Sequence, residues 1–196
     1  MDDAVSNYPG LIRSRLRQAG FGPRYMGLTM DTPGIREILE DSADPLLGPS
    51  VRFWVELART GMIIEAEGAF DTCGKGLWFV GGRSDALACA IAQTLVIDEI
   101  ASSAVYCRAE MLLDSERPEG SREYRTRMYA SGGIMVLSGY GLHRSSDWSD
   151  ATLDNLLANR VHSGLPTLVT AGRKPPSIIA GVPFGDAFFP HLAVGG

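Results

Sequence analysis

The stretch "GLWFVGGRSDALACAIAQTL", residues 76–95, decides the fold. Four apolar residues (Leu77 to Val80) end at the glycine pair Gly81-Gly82, and a long apolar segment follows. That order reads as strand, tight turn and helix, the unit that brings helix-start N–H groups to an anion. Ser84 and Asp85 are both good N-cap residues, so a helix is expected from there to about Ala101. It is apolar on most faces, as a helix packed on a sheet inside a layered domain would be. Gln93 and Thr94 are its polar interruptions. The loop holds no lysine, and no Gly-Lys-Ser/Thr closes it.

Outward from this unit, short apolar runs alternate with helical spacing. "MIIEA" (62–66), "AVYC" (104–107), "GIMVLSG" (133–139) and "PTLVTAG" (166–172) read as strands. Helices are expected over residues 10–18, after Pro33 (Ile35, Ile38, Leu39), after Pro49 (Val51, Trp54, Val55, Ala58) and in "AEMLLDSE" (109–116). "SDATLDNLLANRVHSG" adds a capped helix with Leu153, Leu156, Leu157 and Val161 inward and Gly164 at its end. Alternation of this kind predicts an α/β fold, a three-layer arrangement on a mostly parallel sheet whose ligands bind at the carboxyl ends of the strands. The expected organisation is an N-terminal helical segment (1–60), an α/β core (61–180) and an irregular tail rich in glycine and proline (181–196).

The 196 residues, 45% of them apolar, suffice for one domain with a substantial core. The longest apolar segment falls short of a membrane span, and the acidic start lacks the regions of a secretory signal. Cys73, Cys89 and Cys107 show no metal-ligand spacing, so reduced, buried thiols in a cytoplasmic protein are expected. The net charge of −5 argues against a generally basic nucleic-acid surface. Arg117, Arg122, Arg125 and Arg127 nonetheless cluster in a polar insertion and are the candidate DNA-binding patch; Glu116, Glu119 and Glu123 lie among them and offer a neutralised, solvated face instead.

Two further near-motifs fail on spacing or context. In "GAFDTCGKG" (68–76) the glycine before Gly74-Lys75 stands one residue too far away, Gly76 replaces the hydroxyl residue, and a strand follows where a helix is needed. In "LVIDEI" (95–100), Asp98 and Glu99 resemble a magnesium-binding strand end, yet the segment continues the helix with both carboxylates toward solvent. At "GGRSDALACA" itself, helix-start amides with Arg83 could hold an anion weakly, without the run of amides that wraps a triphosphate.

The succession of "RQAGFGPRYMGLTMDT", "GKGLWFVG", "ALACAIA", "AVYCRAEMLLDSER", "GGIMVLSGYG" and "LLANRVHSGLPTLVTAG" resembles the AAA+ ATPases of the bacterial helicase-loader (DnaC-like) and IstB type, over roughly residues 11–180. The resemblance implies a P-loop NTPase-like core that binds single-stranded DNA and docks on the replicative helicase or a transposase. Its chemistry is missing at each matching position. Ser84 and Asp85 fall where the phosphate-loop lysine and threonine belong, behind the shortened Gly81-Gly82-Arg83 loop. Ser138 and Gly139 stand in the acidic metal places, Gly172 in that of the sensing asparagine, and residues 181–196 hold no arginine to act in trans. The expectation is a pseudo-ATPase with no required cofactor or metal, at most weak ATP or ADP binding. Its partners would be the replicative helicase, its loader or a second copy, with single-stranded DNA as a further candidate. The short stretch before the core makes helicase loading in the ordinary sense unexpected. A divergent working ATPase using Asp98, Glu99 or Lys75, and a purely structural subunit, are the alternatives.

Overall fold

The computed structural model describes residue 14 and residues 16–61, 75–113, 133–142, 146–179, 181–189 and 191–195. The expected strand over 62–66, most of the helix over 10–18 and the end of that over 109–116 lie outside the described residues, as does Cys73. The elements are α1 (Pro33–Glu40), α2 (Leu47–Arg59), β1 (Leu77–Val80), α3 (Ser84–Ile97), β2 (Ala104–Arg108), α4 (Ala109–Leu112), β3 (Ile134–Tyr140), α5 (Asp147–His162), β4 (Thr167–Ala171), β5 (Ile178–Ile179), β6 (Val182–Pro183), α6 (Phe184–Ala187) and β7 (Leu192–Ala193).

Five strands form one sheet in the order β2-β3-β4-β1-β7, and every pairing in it is parallel. Alternation along the strands fills two cores, as a sheet covered on both faces requires. Leu77, Phe79, Tyr106, Ile134, Val136 and Leu168 face α1, α2 and α3, where Trp54, Leu87 and Ile91 are fully buried. Trp78, Cys107, Met135, Leu137 and Val169 face Leu153, Leu156 and Leu157 of α5. Trp78 sits among Tyr140, Phe184 and Phe188, with ring centroids 4.9, 6.0 and 5.6 Å away. The three-layer α/β expectation holds, and the four core strands stand where the apolar runs put them.

Three details differ from expectation. α3 ends at Ile97, short of Ala101, because Glu99 adopts φ 59° and the chain turns back with the N–H groups of Ile100 and Ala101 on Leu95 O. This is a left-handed helix stop formed without glycine. α2 begins two residues before Pro49, which fits a first turn where its missing N–H costs nothing. Residues 181–196, expected to be irregular, supply β7, whose neighbour Val194 donates to Val80 O at 2.8 Å. A two-residue strand among prolines and glycines carries too little periodicity to be read.

The amino-terminal segment is tied to α3 by the residues that interrupt its apolar run. The Gln93 side chain is fully buried: its Oε1 accepts Gly27 N–H at 2.9 Å and its Nε2 donates to Tyr25 O at 2.7 Å. Thr94 Oγ1 accepts Met30 N–H at 3.0 Å. These bonds hold Tyr25 over the carboxyl edge of the sheet.

Candidate functional site at the carboxyl ends of the strands

The turn after β1 brings Gly81, Gly82, Ser84 and Asp85 against the ends of β2, β3 and β4. There they line a cavity of about 250 Å³ with Arg108, Glu110, Ser138, Gly139, Leu142 and Thr170. Gly81 has φ 139°, and an added Cβ would fall directly on Val194 O, so the turn needs glycine. Neither expected N-cap acts as one. Arg83 occupies that position without a side-chain cap bond, and Ser84 and Asp85 are the first helical residues. Ser84 Oγ donates back to Gly81 O at 2.6 Å.

Freed from capping, the Asp85 carboxylate turns to the strand ends. Its Oδ1 accepts the Thr170 hydroxyl; its Oδ2 accepts Ser138 Oγ–H at 2.9 Å and the Tyr25 hydroxyl at 3.4 Å. Thr170 Oγ1 in turn accepts Gly139 N–H at 3.2 Å. Gly139, with φ 77°, lies at the register irregularity that lets β3 reach this position. Tyr106 shares a side-chain hydrogen bond with Ser138; burial raises its pKa despite that bond, with the Asp85 charge adding to the rise. Burial likewise pushes the Cys89 thiol up, so it stays protonated beneath the site. The result is one carboxylate held by three neutral hydroxyls from three parts of the chain.

The expected site residues divide accordingly. Gly81, Gly82, Ser84, Asp85, Ser138 and Gly139 come together. Arg83 does not supply charge to the cavity: it donates to Gly34 O at 3.0 Å and lies 4.0 Å from Glu37. Gly172 sits one residue past β4, its Cβ position occupied by the Leu142 side chain. Asp98 caps the far end of α3 and pairs with Arg59 at 3.1 Å. Lys75 precedes β1 at the end of the sheet opposite the cavity. Arg117, Arg122, Arg125 and Arg127 lie outside the described residues. Thr170, Tyr25, Arg108 and Glu110 were not anticipated. Threonine in an apolar strand reads as a β-former, and only folding brings it to Asp85.

No family model matches the chain, and no curated protein matches it. Solved structures do. A structure described as the DnaC helicase loader aligns with a TM-score of 0.62 at 15% identity, over 88% of this chain and 99% of that one. DnaI aligns at 0.51 and 25% identity, over 75% of this chain and 79% of that one. A replication initiator DnaA, bound to AMPPCP and single-stranded DNA, aligns at 0.55 and 11% identity, over 88% of this chain but 50% of its own length. The chain therefore has the AAA+ P-loop NTPase-like α/β fold and resembles the DnaC-type loaders. Among the described residues no helix is long and apolar enough to cross a membrane.

Proposed function

We propose that this chain is a non-hydrolysing AAA+-like protein of DNA replication that acts in the cytoplasm by binding other proteins. One observation carries the reading: the Asp85 carboxylate, tied to Ser138 and Thr170, faces the cavity in which the phosphates of an AAA+ nucleotide would lie. The residues present do not fit a magnesium nucleotide. A fixed anion repels phosphate directly after the position where the resemblance implies lysine, which here is Ser84, and at 4 Å that repulsion is about 4 kcal/mol per charge pair near a protein surface. The strand end offers a serine hydroxyl and Gly139 in place of metal-binding carboxylates. Lys75 and Asp98 stand too far away in the fold to replace what is missing.

What persists is the scaffold, with its apolar layers and its strand-end face. The neighbours in fold are described as a helicase loader and a replication initiator. The partner proposed is accordingly a replicative helicase, its active loader or a second copy of this chain, bound without need of ATP. Titration calorimetry with ATP and magnesium is expected to show no binding, and sedimentation with a purified replicative helicase and loader to show a complex unchanged by ATP. Saturable ATP binding with turnover would return the chain to the ATPases.

A further inference from the structure

We propose that the carboxyl-end face around Asp85 docks a partner protein that inserts an arginine side chain into the cavity, against the Asp85 carboxylate. This rests on the binding reading above and names the contact through which the partner is held. The first observation is charge. Asp85 is held only by neutral hydroxyls, and among the described residues no arginine or lysine pairs with it. The cations about the site have other partners: Arg83 bonds Gly34 O and lies 4.0 Å from Glu37, and Arg108, which also lines the cavity, pairs with Glu110 at 2.9 Å. A carboxylate offers about four acceptor sites, so Asp85 keeps room for one more donor.

The second observation is shape and surroundings. A cavity of about 250 Å³ has room for a single long side chain. Leu142, 73% exposed, stands on its wall, and Met111, 51% exposed, lines the adjoining cleft that shares Asp85 and Arg108. Large apolar side chains flanking a charged centre are the pattern of an interface hot spot, where apolar contacts exclude water around an arginine. Arginine fits better than lysine, because its planar guanidinium is pre-organised to donate to a carboxylate and is more weakly hydrated than an ammonium. The chain's net charge of −5 also favours a basic partner surface over a phosphate-bearing one.

The test uses the full chain and amide spectra recorded during titration with N-acetyl-arginine amide, its lysine counterpart, its uncharged citrulline counterpart, and inorganic phosphate. The arginine probe is expected to move the amides of Gly82, Asp85 and Gly139, lysine to move them less, and citrulline and phosphate not at all. Asp85→Asn keeps the shape, removes the charge, and should weaken the arginine response about tenfold or more. Leu142→Ser removes an exposed apolar wall of the cavity and should weaken the protein complex. A silent arginine titration, or citrulline and phosphate acting equally, overturns the proposal. A helicase or loader complex indifferent to both variants also overturns it while leaving the binding function standing. An arginine response with no protein complex supports the cavity's preference and overturns the choice of partner.

Discussion

The two ends of the sheet treat charge in opposite ways. At the amino ends of β3 and β4, the fully buried Arg160 of α5 donates to Gly133 O at 2.6 Å, Pro166 O at 3.1 Å and Thr167 Oγ1 at 2.8 Å. Burial lowers its pKa to about 10, still far above neutrality, so it remains a cation. At the carboxyl ends, Asp85 has three hydroxyl donors and an open cavity before it. The first charge is sealed and serves the fold. The second is positioned with equal care yet left accessible, and accessibility is what a binding role requires.

Removing Arg160 should have the largest effect. Arg160→Met fills most of the volume but strands two buried carbonyls and the Thr167 hydroxyl, a loss of roughly 3–5 kcal/mol. Thermal or urea denaturation measures it. Neutral stability in this variant would mean that the amino end relaxes or hydrates readily, and the contrast between the two ends would collapse.

Next in size comes Gly81→Ala. Its φ of 139° alone costs an alanine about 1–3 kcal/mol, and the added Cβ meets Val194 O, so β7 must also shift. Hydrogen exchange should show the Val194 amide, which bonds Val80 O, losing protection first. An unchanged edge strand would show that the turn is adaptable and the site less rigid than its hydrogen bonds imply.

Gln93→Leu probes the link between the amino-terminal segment and the site. It leaves Gly27 N–H and Tyr25 O without their buried partner, at a cost of about 1–3 kcal/mol. The Tyr25 hydroxyl should then withdraw from Asp85, an effect visible as altered Tyr25 ring signals. Stability lost without any change at Tyr25 would separate the amino-terminal segment from the site.

The same residues divide what local sequence encodes from what only the folded chain brings together. The strands and the inward leucines of α5 were legible because periodicity is local: each apolar run declares its own burial. Gly81, Gly82, Ser84 and Asp85 were legible as a loop beside a helix start. The direction of Asp85 was not, since a first-turn aspartate normally serves its own helix and nothing near it signals Thr170, 85 positions onward. Gln93 and Thr94 read as flaws in an apolar helix; their partners lie 64–68 positions earlier. Arg83 misled because proximity in sequence to a glycine turn says nothing about which side of the turn a long side chain takes.

The smallest effect should come from Gly172→Asn, which restores the residue type that the family resemblance implies at this position. Gly172 has no positive φ, so an asparagine meets no backbone strain there. The atoms nearest its Cβ belong to Leu142, an exposed and flexible side chain that can swing aside. Stability should change by no more than about 0.5 kcal/mol, as at other surface positions. Nucleotide binding should not appear, because groups of a phosphate site act as a unit and Asp85 still faces the space a phosphate would need. Calorimetry with ATP and magnesium on this single variant, and on its combination with Asp85→Asn, separates the two contributions. Binding regained by Gly172→Asn alone would mean the carboxylate is no barrier. Binding regained only in the double variant would make Asp85 the group that closes this end of the sheet to phosphate.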